Sequence, residues 1–210
     1  MVLVLRSKDF DAEMRMYNSD GSEGSMCGNA IRCVARILFD RSSGVKNVFR
    51  IKTKSGTKFV KFDKVTELAT VDMGGYKILG TGFITHVDVG NPHAIVYVAD
   101  VCDINIQDIG FFVGSAKYFK DGVNVEFVQV ISKNHLKMRV YERGSGVTMA
   151  CGTGAVASCV ASVKNGFCKM NERIKVTCDG GDLFVVVYPD GATLEGPCEY
   201  SFKGVIEIED

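Results

Sequence analysis

The chain has 210 residues, and its 25 Lys and Arg balance 25 Asp and Glu for a formal net charge of zero. That length can bury a substantial core, while the charge balance gives no broad basic surface of the kind nucleic acid or anionic membranes demand. "MVLVLRSKDF" is too short in apolar residues for a signal peptide, and no run reaches membrane-spanning length, so the reading is a cytoplasmic protein (plastid location open) that acts on a small molecule, with no nucleic-acid or membrane partner.

In chain order, "MVLVL" and "EMRMY" alternate as strands do. "NAIRCVARILFD" then changes period, with Ile31, Val34, Ile37 and Leu38 on one helical face. Strand-like segments resume with "VFRIKT", "TKFVKF", "HVDVG", "AIVYVAD", "NVEFVQVI" and "LKMRVYE". A second helical stretch follows in "TGAVASCVASVKNG", where Val156, Cys159, Val160 and Val163 share a face and Asn165-Gly166 supplies a stop. "RIKVTC", "LFVVVY" and "GVIEIE" close the chain as further strands.

Each helix follows a Cys-Gly, and the likeness extends further. "MRMYNSDGSEGSMCG" (14–28) aligns without a gap on "MRVYERGSGVTMACG" (138–152) at an offset of 124, matching Met14, Arg15, Tyr17, Cys27 and Gly28 with Met138, Arg139, Tyr141, Cys151 and Gly152. A duplicated strand, loop, Cys-Gly, helix unit with pseudo-twofold symmetry brings Cys27 and Cys151 to face one cleft.

Eight cysteines (27, 33, 102, 151, 159, 168, 178, 198) without a C-x-x-C, and only three histidines, read as reduced thiols with no metal site. A thiol at a helix start has its thiolate favoured by unpaired N–H groups, an effect worth about 0.3 to 1 kcal/mol, rising to about 2 when partly buried. Glu142 or His93 can add a hydrogen bond or relay a proton. With a substrate carboxylate on the helix-start amides, one cysteine as thiolate takes the Cα proton and the other as thiol returns one to the opposite face, so the centre inverts with no cofactor. Gly28, Gly152 and Gly154 permit close backbone approach, or simply form turns.

At these residues the chain resembles the diaminopimelate epimerase family, through "YNSDGSEGSMCGNAIRC", "GNPHAIV", "GVNVEFVQV", "YERGSGVTMACGTGA" and, more weakly, "GDLFVVVYPDGATLEGPCEYSFKGVI". "MCGN" paired with "ACGTG" sets it apart from the related proline racemases. The resemblance implies that Cys27 and Cys151 are the acid/base pair and that Gly28, Asn29, Gly152 and Thr153 hold the carboxylate at the reacting centre. It further implies that Asn18, Asn91, Asn124 and Arg143 grip the distal end of the substrate, and that Glu142 and His93 support proton transfer or the substrate amine. Other readings of these residues stay open: Asn124 as a solvated strand position, Asn91-Pro92 as a turn signal, Glu142 with Arg143 as an exposed ion pair.

The resemblance predicts an α+β fold of two pseudo-symmetric halves, each a curved or barrel-like sheet around a central helix. The first half comprises 1–75 with 198–210, since "FKGVIEIED" should return to it as a strand, and the second comprises 76–197. The family's pattern opens with a "GNDF"-type segment that this sequence does not show, so the first half is expected to be incomplete. The implied activity is interconversion of LL- and meso-diaminopimelate in lysine biosynthesis, with homodimerisation left open. The competing readings are a proline racemase-like or hydroxyproline epimerase-like enzyme, an inactive ligand-binding member, and, more remotely, a cysteine hydrolase, which would need one thiol with a dedicated base.

Overall fold

The computed structural model describes residues 1–17, 21–24 and 26–207. Strands β1 (Val2–Leu5), β2 (Ala12–Tyr17) and β3 (Glu23–Gly24) precede helix α1 (Gly28–Arg41). Next come β4 (Val48–Thr53), β5 (Gly56–Asp63), β6 (Leu68–Gly74), β7 (Lys77–Gly80), β8 (Ile84–Asp88) and β9 (Pro92–Tyr97). A 3-10 turn (Val101–Asp103) and α2 (Ile106–Gly114) lead into β10 (Asn124–Ser132), β11 (His135–Glu142) and β12 (Gly146–Thr148). Helix α3 (Gly152–Lys164) and strands β13 (Arg173–Cys178), β14 (Gly181–Val187) and β15 (Ala192–Pro197) complete the order.

The fold is α+β, as the sequence predicts. The main sheet path runs β1-β2-β4-β5-β6-β15-β14-β13-β11-β10-β9-β8-β7, with β3 on β2 and β12 on β11. It is not closed into barrels: among the described residues it ends at β1 and β7.

The internal repeat survives as strand register. Val2 pairs Met16 where Glu126 pairs Val140, and Met16 pairs Gly24 where Val140 pairs Thr148, each residue displaced by 124. The hairpin closing Thr53 on Gly56 corresponds to the one closing Cys178 on Gly181. Strands β6 and β15 are themselves counterparts and pair with each other, Val71 opposite Leu194, Thr70 opposite Glu195 and Asp72 opposite Thr193. A local twofold axis therefore passes through the Val71–Leu194 pair.

The two central helices differ in how they are buried, and their sequences say why. Helix α1 buries one stripe, including Ile31, Val34, Ala35 and Phe39, against β4, β5 and β6. Helix α3 carries small or apolar residues nearly all round, so it is enclosed by β8, β9, β10, β11, β14 and β15. Its two buried hydroxyls are satisfied, Ser162 with the Tyr97 hydroxyl at 3.0 Å and Ser158 with the Met138 sulfur at 3.3 Å. Burying each valine of such a helix contributes about 1.5 to 3 kcal/mol, so packing rather than propensity holds both.

Two elements depart from the sequence reading. Residues 202–207 form no strand. Just before them the Tyr200 hydroxyl donates to Asp40 of α1 at 2.9 Å, and the last residues of the expected strand, 208–210, lie outside the described residues. Helix α2 was not anticipated. Its start is marked by Asn105, whose side chain accepts from the Asp108 amide at 3.2 Å, and its Gly110 lies so close to Tyr141 that a Cβ there would sit 2.4 Å from that ring's Cβ.

Candidate active site

Cys27 caps α1 with extended backbone (φ −132°, ψ 120°), and Cys151 caps α3 in nearly the same conformation (φ −125°, ψ 117°). The helix starts meet. A Cβ on Gly152 would lie 3.4 Å from Gly28 Cα, and a Cβ on either glycine would lie 3.0 Å from Leu194 Cδ2, which sits on the twofold axis beneath both. A side chain at either position would make Leu194 or the facing helix start give by a few tenths of an ångström, so glycine suits the close approach.

Above this junction lies a cavity of about 690 Å³ lined by both cysteines, within the usual size range for small-molecule sites. Gly28, Asn29, Asn91, Glu142, Arg143, Gly152 and Thr153 also line it. By helix geometry the first amides of α1 and α3 have no intrahelical acceptor, which leaves them for an anion. The structure thus gathers nine of the twelve candidate residues on one wall system. Asn18 lies outside the described residues.

The two others, His93 and Asn124, do not line the cavity. His93 is fully buried, and its Nδ1 lies 2.7 Å from Oε1 of Glu126, also fully buried. His93 therefore sits behind the cavity wall and not on it. Asn124 is buried too, and its Oδ1 accepts from the Arg143 amide at 2.8 Å. It fixes the main chain of Arg143 instead of facing solvent, which removes the solvated reading. Arg143 Nη1 donates to Asp121 O at 2.7 Å, so the guanidinium is tethered at the second half's rim.

Cys151 and Cys27 stand in different surroundings. Burial pushes the Cys151 thiol well up, reinforced by the Glu126 and Glu142 carboxylates. The Thr153 hydroxyl at 3.3 Å and the Gly154 amide at 3.3 Å pull the other way and do not prevail. The helix-start amide does favour the thiolate at Cys151, as expected, but burial opposes it and is the larger cause, so the thiol is pushed up on balance. Thr153 also accepts from Asn91 Nδ2 at 3.5 Å, linking the β8–β9 turn to the thiol. Glu142 accepts a hydrogen bond from the Thr148 hydroxyl while facing the cavity.

Sequence reasoning missed three charged residues here. Lys58 on β5 lines the cavity, its ammonium donating to Met73 O at 3.1 Å, and burial pushes its pKa down against the pull of Asp72. Arg32 and Glu126 are both buried, Arg32 bonded to Gly28 O and Asn29 Oδ1 and Glu126 paired with His93. A Glu inside "VNVEFV" and an Arg within a helix carry no local signal of burial.

A duplicated α+β fold brings a thiol from each copy to one cavity. The same architecture occurs in a crystal structure of a hydroxyproline epimerase from Agrobacterium vitis, with TM-score 0.71 over 93% of this chain and 72% of that one at 14% identity, a likeness of fold alone. The family model for diaminopimelate epimerase matches residues 1–79 and 85–200. Among curated relatives, the diaminopimelate epimerase of Acetivibrio thermocellus is 39% identical over 237 aligned positions, covering 100% of this chain and 84% of the relative, and that of Bacillus cereus is 37% identical over 236, covering 100% and 82%. The family match with its curated relatives makes the chain an epimerase, an enzyme of the isomerase class. It belongs to the diaminopimelate epimerase family.

Proposed function

We propose that this protein interconverts LL- and meso-diaminopimelate, as a step of lysine biosynthesis, by a two-base mechanism using Cys27 and Cys151. The observation that carries the reading is the contact of Gly28 with Gly152, which holds both thiols over one cavity. The two halves, 1–75 with 198–210 and 76–197, each contribute one cysteine and one helix start. The reacting α-carboxylate sits on the first-turn amides of Gly28, Asn29, Gly152 and Thr153, where negative charge accumulates as the Cα proton leaves. The thiolate removes that proton from one face and the opposing thiol donates its own to the other, which inverts the centre. Both proton transfers are supplied by the thiols.

The distal carboxylate goes to Arg143, whose guanidinium can bind it with two hydrogen bonds, with Asn91 and Asn18 alongside and Asn124 holding the Arg143 main chain. Glu142 receives the substrate ammonium. The Lys58 ammonium on the opposite wall adds a second cation, which suits a dicarboxylate better than proline or hydroxyproline. The setting is cytoplasmic. Among the described residues no helix is long and apolar enough to cross a membrane. A dimer of this chain is compatible with the reading, which places all named site residues within one copy.

The test is to incubate reduced protein with LL-diaminopimelate, proline and 4-hydroxyproline in parallel and resolve the stereoisomers. Formation of meso-diaminopimelate with neither cyclic substrate turned over is the expected result. Turnover of a cyclic substrate alone, or binding of diaminopimelate without isomerisation, would reject the reading.

A further inference from the structure

The duplication makes departures from symmetry informative, and one of them lies against the start of α3. Glu126 in β10 has Val2 as its counterpart in register, and Gly154 in α3 has Ala30, each 124 residues earlier. The first copy thus carries two apolar residues where the second carries a carboxyl and a glycine. The exchange is concerted. A Cβ on Gly154 would lie 2.5 Å from Glu126 Oε1 and 3.1 Å from its Cγ and Cδ, so the carboxyl fills the space that an alanine side chain would take.

The carboxyl is anchored in this place. Glu126 is fully buried, and its Oε1 lies 2.7 Å from Nδ1 of the fully buried His93. The two stand on the paired parallel strands β9 and β10, His93 opposite Asn124 and Glu126 opposite Ile95, so the sheet fixes both backbones. On the far side of the carboxyl, the Gly154 amide donates to Cys151 Sγ at 3.3 Å. A continuous chain of contacts therefore runs from His93 through Glu126 and Gly154 to the sulfur. In the first copy, where Val2 and Ala30 stand, the Cys27 side chain makes no such cap bond. Packing alone does not call for a carboxyl. Among the described residues Glu126 Oε2 and His93 Nε2 have no hydrogen-bond partner, and polar atoms buried in that state are destabilising, which a valine like that of the first copy would avoid.

We propose that Glu126 is a positioning residue that seats the first turn of α3 and so fixes the Cys151 sulfur for proton transfer. Its carboxyl, held at Oε1 by His93, is the surface on which Gly154 rests, and the Gly154 amide holds the sulfur in turn. This rests on the two-thiol reading above and goes beyond it: the two thiols of the pseudo-symmetric site are held by different means, Cys151 by a buried side chain that Cys27 has no counterpart for. Glu126 does not line the cavity. It acts through Gly154 and touches no substrate.

The experiment compares Glu126→Val, which installs the first copy's residue, with Glu126→Gln, which keeps the shape and an oxygen for His93. Each folded protein is read twice: by kcat and KM for diaminopimelate, and by hydrogen exchange at the Gly154 amide in NMR spectra, which needs no turnover. Glu126→Val should lower kcat at least about tenfold with KM changed less than about threefold, as displacement of a reacting group does. It should also speed exchange at Gly154 at least about tenfold, since the first turn of α3 loses its support. Glu126→Gln should restore most of both. Should Glu126→Val fail to fold, Glu126→Val with Gly154→Ala, which carries the first copy's residues at both places, is read in the same way at the amide of residue 154. Unchanged kcat or unchanged exchange in the folded valine variant, or a Glu126→Gln protein as impaired as Glu126→Val, overturns the proposal. A parent protein that leaves diaminopimelate unchanged while Gly154 exchange follows the expected pattern would count against the function and not the seating, and an active parent whose Gly154 exchange is indifferent to Glu126 the reverse.

Discussion

Gly28 and Gly152 touch across the pseudo-twofold axis, with the Leu194 side chain packed beneath both. This contact sets the separation of the two helix starts and hence of the two thiols. Adding a methyl group at Gly152 requires Leu194, 3.0 Å away, or the α1 backbone, 3.4 Å away, to give. Gly152→Ala should cost about 1 to 3 kcal/mol, as overpacking of a close-packed site does, and should lower kcat at least about tenfold, since misplacement of reacting groups by a fraction of an ångström is expensive. Urea unfolding and steady-state kinetics check the two effects. Unchanged kcat would show that the thiols tolerate a wider gap.

Removing either sulfur separates the half-reactions. Cys27→Ala and Cys151→Ala should each lower inversion by about 10²- to 10⁴-fold, the usual contribution of a positioned acid or base. Exchange of the α-proton with solvent from one face should survive in at least one of them. Chiral analysis with deuterium counting by mass spectrometry distinguishes these outcomes. Full inversion in a single variant would exclude a two-base reaction.

Asn124 is bonded to the backbone of Arg143 and does not line the cavity. Its Oδ1 is the acceptor for the Arg143 amide at 2.8 Å, so Asn124→Ala leaves that amide without its partner at a cost of about 1 kcal/mol. The expected result is a KM for diaminopimelate raised about fivefold, the equivalent of 1 kcal/mol, with a smaller change in kcat. An effect confined to kcat would place Asn124 in the chemical step.

The buried thiols predict an alkaline stability profile. Burial, with Asp179 and Asp182 nearby, pushes the Cys178 thiol from 9.0 up to about 12, and burial pushes Cys198 up to about 11. A folded value above the unfolded one means the stability is fully present below about pH 9 and is lost as pH climbs towards those values, because the unfolded chain releases protons that the folded chain retains. Each such thiol steepens the decline by about 1.4 kcal/mol per pH unit in that window. Cys178→Ala should therefore flatten the fall in unfolding free energy above pH 9 by about that amount per unit, measured by urea titrations across the window. An identical slope in variant and parent would show that Cys178 titrates normally in the folded state.

Much of this was legible in the sequence because duplication writes itself twice. The offset of 124 between Cys27 and Cys151 is also the offset between the Val2–Met16 and Glu126–Val140 pairings, so matching residues alone located both helix starts and the shared cleft. The periodicity that found α1 and α3 failed for α2, whose "IQDIGFFVG" is apolar on more than one side and was missed despite its Asn105 cap. Strand alternation also misled at β10. Asn124, Val125, Glu126, Phe127 and Val128 are all buried, because α3 covers one side and α2 packs on the strand as well, so polar and apolar positions no longer sort into outside and inside. Asn124 and Glu126 are interior polar residues with partners that only the fold reveals. Arg32 escaped notice for the same reason, its acceptors being oxygens of Gly28, Asn29 and Pro197.

The most direct test of opposed thiols acting on one carbon follows the α-hydrogen during the first few turnovers of LL-diaminopimelate in heavy water. The account predicts meso product that carries solvent deuterium at the inverted carbon while the remaining LL substrate still holds its original hydrogen, since one cysteine keeps what it removes and the other delivers what it drew from solvent. Meso product that retains the substrate's own hydrogen would mean a single group working on both faces, and would contradict it.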